Sequence, residues 1–350
     1  MEKAILVGIE GPLDELRELA TAAKARVVDE VIQQRDNPDP ALFIGKGKAA
    51  ELKEQVVVTG ADVVIFDDEL SPSQMRNLEE LLETKVVDRT GLILDIFSRR
   101  ARTSEGKLQV ELAQLNYHLS RLAGGSTMLS RLGGGIGTRG PGETKLEVDR
   151  RTIRTRIAKL KRETEQVRKH RQLHRNRRKR SHLPTVSLVG YTNAGKSTLF
   201  VRMSGEETLI SPKVFATLDP LVRRVHLGPG AEVLVSDTVG FIRKLPHDLV
   251  DAFRATLEEV VASDLILHVV DVSESDFEER IQVVESVLGD LGCADHPQLR
   301  VYNKTDRADI VPDPGEGGVS VSALTGDGIP VLKARILDSL PSSEKQHWGR

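Results

Sequence analysis

One short string limits what this chain can fold into more than any other. Gly190-Tyr191-Thr192-Asn193-Ala194-Gly195-Lys196-Ser197-Thr198 contains the pattern G-x-x-x-x-G-K-[ST]. An apolar run, Thr185–Gly190, leads into it, and a helix-like run, Lys196–Met203, leaves it. Strand, glycine loop and helix in that order form an anion nest: backbone N–H groups turn inward at a helix N-terminus. The expected ligand is a nucleotide polyphosphate. Lys196 reaches its β- and γ-phosphates, and the Ser197 hydroxyl ligates Mg²⁺.

Three later segments, each at the end of a strand-like run, narrow the ligand. Asp237-Thr238-Val239-Gly240 comes after Val233–Val235. Asp237 is placed to hold the Mg²⁺ shell through water, and the Gly240 N–H to meet the γ-phosphate. Asn303-Lys304-Thr305-Asp306 supplies a carboxylate that can accept both the N1–H and N2–H₂ donors of guanine. Adenine lacks that donor pair, so Asp306 points to GTP. Ser322-Ala323-Leu324 offers a backbone N–H for guanine O6. Between the glycine loop and Asp237 lies Phe215-Ala216-Thr217-Leu218-Asp219-Pro220; Thr217 is the candidate to complete the Mg²⁺ shell, with Thr208 second. Lys196, Thr217 and Asn193 are the catalytic candidates.

The residue after Gly240 is informative too. GTPases of the Ras type carry a water-orienting glutamine there; this chain has Phe241. A phenyl ring cannot make those hydrogen bonds, so turnover is expected to be slow until a partner orders the loop Phe241–Asp248. Asn193 resembles the phosphate-loop asparagine of potassium-stimulated GTPases, which makes K⁺ a candidate second cation; an ordinary loop asparagine is the competing reading. The histidines suggest no metal cluster, and His247 reads as a surface residue.

The remaining organisation falls into three textures. Residues 1–100 alternate strand and helix signals, which predicts a small α/β domain. In residues 101–180, Leu108, Leu112, Leu115, Leu119 and Leu122 step by 4, 3, 4 and 3, and a second seam runs through Leu146, Ile153, Ile157, Leu160 and Val167. Two such helices predict an antiparallel hairpin, with the glycine-rich loop Ala123–Gly142 at one end, ordering only against a partner. Residues 181–345 read as a P-loop domain whose sheet is mostly parallel and doubly wound.

Composition adds mainly exclusions. There is one cysteine, Cys293, so no disulfide framework or zinc site is expected, and a reducing compartment fits. Met1 to Glu10 reads as a first strand and not as a signal peptide, and the run from Leu265 to Val270 is too short to span a bilayer. The net charge of −2 hides a segregation. From Arg150 to Arg180 there are fifteen Lys and Arg against Glu163 and Glu165, a net of +13, so the rest of the chain carries −15. That favours an anionic partner, nucleic acid above all.

Beyond these motifs, the chain resembles the HflX family of translation-associated GTPases, over nearly all its length. The residues that carry the likeness include Phe43-Ile44-Gly45-Lys46-Gly47-Lys48, Asp67–Gln74, Val87-Asp88-Arg89-Thr90, Ile93–Phe97 and Val110–Leu115. The most distinctive stretch runs from Arg131 through Gly135 to Gly142-Glu143-Thr144, and Phe215–Asp219 matches the family's switch, which favours Thr217 over Thr208. The resemblance implies binding to the rRNA of the large ribosomal subunit, with the hairpin near the peptidyl-transferase centre, and dissociation of stalled ribosomes. The chain is expected to be cytoplasmic, ribosome-associated and monomeric when free; peripheral membrane association stays open. RNA contact candidates are Lys46, Lys48, Arg131, Arg139, Arg150, Arg151 and Arg154. Lys46 and Lys48 read equally as a glycine turn before a helix. Many members carry a further C-terminal domain, whereas only Pro341–Arg350 follows the last expected helix here. Two other readings remain: a nucleotide-dependent RNA- or ribosome-binding switch, and an ATP-assisted RNA remodeller.

Overall fold

The computed structural model describes every residue except 124–144, 181–182, 206–213, 216–220, 245–256 and 341–350, and omits the side chains of 123, 145, 146 and 168–180. Two compact units result. The first holds the N-terminal sheet, with helix α5 (Ser104–Ala123) from Lys107 onward and the start of α6 (Lys145–Arg180). The second holds the end of α6 and the C-terminal sheet.

The N-terminal sheet is built from β1 (Lys3–Gly8), β2 (Arg26–Ile32), β3 (Val63–Phe66) and β4 (Lys85–Val87). Their order is β2-β1-β3-β4, all parallel. β1 and β3 are central and buried on both faces, so they read as unbroken apolar runs: Ala4-Ile5-Leu6-Val7 and Val63-Val64-Ile65-Phe66. Helices α1 (Asp14–Ala22), α2 (Lys46–Thr59), α3 (Pro72–Leu82) and α4 (Arg89–Arg100) make the crossovers and the cover. α3 starts at a capping box. Ser71 accepts from the Gln74 N–H at 3.2 Å, and the Gln74 side chain accepts from the Ser71 N–H at 2.9 Å. With Pro72 as first helical residue, this capping box contributes about 1 kcal/mol. One core, from Ile5, Val7, Val64 and Phe66 to Leu52, Leu78 and Leu82, lies between sheet, α2 and α3.

α6 runs for 36 residues, about 54 Å at 1.5 Å per residue. Its contacts with α5 pair Arg150 with the Leu122 carbonyl and Arg156 with Glu111, an antiparallel sequence of partners. The leucine seam of α5 is only half-buried; its buried residues are Gly106, Gln109, Val110 and Ala113. The reason is a second contact face, on which Tyr117 and Arg121 reach Asp88, the residue between β4 and α4. In α6, Ile157 and Leu160 are buried, whereas Ile153 and Val167 are half-buried. The glycine-rich loop lies outside the described residues.

The C-terminal sheet has order β10-β9-β8-β5-β7-β6. Its strands are β5 (Thr185–Gly190), β6 (Leu221–Gly228), β7 (Ala231–Asp237), β8 (Leu265–Asp271), β9 (Gln298–Asn303) and β10 (Gly318–Ser320). All pair in parallel except β6, which forms an antiparallel hairpin with β7 at the edge. β6 is absent from the strands expected from the sequence. Its exposed Arg223 and Arg224 hide the apolar pattern, though the Gly228-Pro229-Gly230 turn marks its end. Helices α7 (Lys196–Ser204), α8 (Phe277–Asp290) and α9 (Ile329–Ser339) cover the sheet. Leu188, Leu199, Phe200, Val235, Leu267, Val301 and Leu332 form the main core between the sheet, α7 and α9. The chain leaves β5 towards β7 and returns to β8 on its other side, so the crevice of this sheet opens at the carboxyl ends of β5 and β8.

Candidate functional site

The glycine loop sits in that crevice, between β5 and α7. Two of its glycines are required by close approach. A Cβ on Gly190 would lie 2.2 Å from the Val269 carbonyl oxygen of β8. On Gly195, at φ +91°, it would lie 2.3 Å from the Asn303 amide nitrogen. Asn193 is exposed and left-handed at φ +62°, a conformation asparagine tolerates. Tyr191, Thr192 and Ala194 are buried and Thr198 is half-buried.

Lys196 is 6% exposed, and its ammonium donates to the carbonyls of Gly190 at 3.0 Å and Tyr191 at 2.7 Å. Burial lowers its pKa to about 8; nearby Asp237 opposes this, and Lys304 adds to it. A buried, partly destabilised ammonium held by carbonyls is well suited to meet a phosphate. Ser197 Oγ donates to Asp237 Oδ2 at 2.7 Å. That carboxylate is fully buried at the end of β7. A hydroxyl and a carboxylate in contact at a helix N-terminus form an oxygen donor set that fits Mg²⁺. Thr238 Oγ1 donates to the Leu188 carbonyl at 2.6 Å, which pins the turn after β7 against β5. Gly240 lies against Thr192 and Lys196.

Asn303 ties the phosphate and base ends together. Its amide nitrogen donates to the Ala194 carbonyl at 2.8 Å, and its oxygen accepts from the Ala323 N–H at 3.0 Å. Lys304 pairs with Asp271 at 2.5 Å. Thr305 donates its N–H to the Val321 carbonyl at 3.3 Å. Asp306 accepts from Ser322 Oγ at 2.5 Å, so the loops after β9 and β10 are joined. Leu324, in the loop after β10, is 66% exposed. Phosphate loop, Asp237, Asp306 and Ser322-Ala323 therefore converge on one edge of one sheet.

Other expected residues lie elsewhere. Phe215 is buried at φ +55°, but Ala216, Thr217, Leu218, Asp219 and Thr208 are outside the described residues, as are Arg131 and Arg139. Lys46 and Lys48 belong to the first turn of α2, not to a turn before it, and Lys48 pairs with Glu51. Arg150, Arg151 and Arg154 line one shallow groove on α6.

Three features of the site are not expected from the sequence. Phe241 is not the head of a loose loop: it is 1% exposed, donates its N–H to the Gly190 carbonyl at 3.1 Å and accepts from the Thr192 N–H at 2.7 Å. Arg202 of α7 donates to the Ala323 carbonyl at 3.1 Å and also reaches that of Leu324, supporting the base loop. His268 lies buried in β8, where burial, Arg300 and Lys196 lower its pKa to about 3 and keep it neutral. Only Phe241 carries a sequence signal, its place after the D-x-x-G string.

Known proteins match this arrangement along most of the chain. Residues 10–98, 100–178 and 185–304 match family models described as GTP-binding GTPase N-terminal, GTP-binding GTPase Middle Region and 50S ribosome-binding GTPase. GTPase HflX of Caldanaerobacter subterraneus subsp. tengcongensis is 54% identical over 337 residues, covering 95% of this chain and 79% of the relative. GTPase HflX of Escherichia coli is 47% identical over 363 residues, covering 100% and 85%. A crystal structure of a GTP-binding protein from the archaeon Sulfolobus solfataricus in complex with GDP superposes with TM-score 0.51 at 25% identity, covering 99% of each chain. Taken with the nucleotide crevice, these likenesses show that the chain is a P-loop GTPase, an enzyme that hydrolyses GTP, and that it belongs to the HflX family.

Proposed function

We infer that this GTPase binds the large ribosomal subunit and couples GTP binding and hydrolysis to the dissociation or rescue of ribosomes. The observation that carries this reading is α6. A 36-residue helix, with a net of +13 over its residues 150–180, leads directly into a GTPase domain and exposes Arg151 and Arg154 beside Arg150. Such a surface suits a phosphate backbone and gives a steep salt dependence. The family description of residues 185–304 as a 50S ribosome-binding GTPase supports the same partner.

At the nucleotide, Lys196 would exchange its two carbonyl partners for phosphate oxygens, and Asp306 would accept from guanine. Ser197, Thr217 and Asp237 would hold Mg²⁺, which neutralises charge on the β- and γ-oxygens when bound. Phe241 is buried and offers no side-chain donor or acceptor to a water, which supports slow intrinsic turnover and partner stimulation. Asn193, exposed at the loop's rim, is the candidate K⁺ ligand; equal rates in K⁺ and Na⁺ would remove that role. In this reading the protein works in the cytoplasm, on ribosomes, and is monomeric when free. No helix among the described residues is long and apolar enough to cross a membrane.

The decisive experiment is gradient sedimentation of 70S ribosomes with the full chain, in GTP-analogue and GDP states and at several salt concentrations. The reading expects co-sedimentation with the large subunit and loss of 70S particles in the GTP-analogue state. No ribosome association in either state would defeat it. A second reading, a nucleotide-timed binding switch, draws on the same buried Phe241. It is favoured if the GTP-analogue form binds ribosomes and leaves the 70S peak intact.

A further inference from the structure

Residues 240–243 rest on the phosphate loop at four points. Gly240 is pressed against it: a Cβ there would lie 2.9 Å from Lys196 Nζ and 2.9 Å from Thr192 Cα. The space between Gly240, Lys196 and the loop backbone is therefore tight. Phe241 forms the backbone pair with Gly190 and Thr192 described above. Phe241 and Ile242 are each 1% exposed. Arg243 donates its backbone N–H to the Tyr191 hydroxyl at 2.9 Å.

The Arg243 side chain continues the contact outward. Its guanidinium donates to Asp276 at 2.7 Å and to Glu279 at 2.9 Å, at the N-terminal end of α8. Asp276 also pairs with Arg280 at 2.9 Å, and the Arg280 guanidinium lies 5.1 Å from the centre of the Tyr191 ring. Tyr191, Arg243, Asp276 and Arg280 thus close a ring that joins phosphate loop, D-x-x-G segment and α8. Catalysis has no evident use for Arg243, Asp276 or Glu279, because none of them reaches the phosphate crevice in these contacts.

We propose that Arg243 is a positioning residue: its ion pairs with α8 latch residues 240–243 onto the phosphate loop and set the preference between guanosine di- and triphosphate. This rests on reading the crevice as a GTP site. A diphosphate needs the loop and Lys196, and both can be used while the latch stays shut. A third phosphate must enter where Gly240 meets Lys196, so its binding works against the latch. A ligand shifts an equilibrium only through its differential affinity for the two states. Here that difference is the cost of lifting residues 240–243. Each ion pair is partly exposed and individually weak, so the expected effect is modest.

The test is titration of the full chain with fluorescent GDP and a fluorescent non-hydrolysable GTP analogue, with Mg²⁺ present. Arg243→Ala should raise the triphosphate-to-diphosphate affinity ratio about fivefold. The double variant Asp276→Asn/Glu279→Gln, which opens the latch from the other side, should give the same shift. Arg243→Lys, which keeps one ion pair, should recover part of the wild-type ratio. A general folding defect would weaken both nucleotides together and leave the ratio alone. If Arg243→Ala and the double variant still bind GDP and the ratio is unchanged, the latch is wrong and the GTP site stands. If the wild-type chain binds neither nucleotide, the site reading itself fails.

Discussion

The two sheets share a construction and use their carboxyl ends in opposite ways. Each is a wound β/α arrangement with a reversal of strand order, beside β1 in the first sheet and beside β5 in the second. Ligands of open α/β sheets bind at such points. In the first sheet the place is filled from within. Arg89, 2% exposed, pairs with Asp67 at 2.6 Å and with Glu15 of α1. Beside it, Asp88 is fully buried; it accepts from the Tyr117 hydroxyl at 2.6 Å and the Gly91 N–H at 2.8 Å, and pairs with Arg121. In the second sheet the corresponding place holds a glycine loop and an ammonium that donates to backbone carbonyls. The first edge commits its charges to structure, and the second keeps them for a ligand. A second nucleotide, as an ATP-assisted remodeller needs, finds no comparable cradle among the described residues of the first edge.

The largest effect that could break this contrast is at Asp88. Asp88→Ala strands the Arg121 guanidinium, which is itself mostly buried, and should destabilise the first unit by about 3–5 kcal/mol. Denaturant unfolding checks the size. GDP affinity should stay within about twofold; a large loss would mean that the two edges are not independent. Lys196→Ala should do the reverse. Nucleotide affinity should fall about a hundredfold, the loss of charge-assisted bonds worth about 1.5–3 kcal/mol each, while stability of the free protein holds or rises. Calorimetric titration and thermal melts separate the two readouts. A smaller effect is expected at the base: Asp306→Asn should exchange guanine for xanthine preference by about 1–3 kcal/mol, read by competition between GDP and XDP.

The smallest expected effect concerns protons. The pKa of Lys196 is lowered to about 8 in the folded, free protein, against 10.5 unfolded. Between these values the unfolded chain holds the proton more often, so this group's contribution to stability rises with pH across the window and is lost as pH falls through about 8. Phosphate binding restores the charge. Nucleotide affinity should therefore weaken above about pH 8, with proton uptake on binding, visible as a buffer-dependent calorimetric enthalpy. An enthalpy independent of buffer ionisation at about pH 9 would show that the ammonium is not depressed.

Much of the fold and of the candidate site is legible in linear patterns. The phosphate loop, Asp237, Asn303–Asp306 and Ser322–Leu324 each come after a strand run, and a parallel sheet brings strand ends together without needing to know what else they touch. The N-terminal α/β alternation is legible because each strand and helix signal is contained within a few residues. β6 is not, because two exposed arginines break its alternation. The buried face of α5 is not, because Tyr117 and Arg121 answer to Asp88, respectively 29 and 33 residues earlier.

The sequence by itself determined the chemistry available to this protein: a polyphosphate loop, a carboxylate for guanine, a strongly basic helix and a phenylalanine where Ras-type GTPases carry glutamine. Only the tertiary structure decided the state of those parts. It shows Lys196 turned back on its own loop, Phe241 buried in backbone pairing with that loop, and Arg243 tied to α8. It also decided which strand-end crevice is closed and which is left for a ligand. The physical reason is that a motif specifies donors and acceptors, whereas burial and pairing depend on groups brought within about 3 Å from distant positions, which no local pattern encodes.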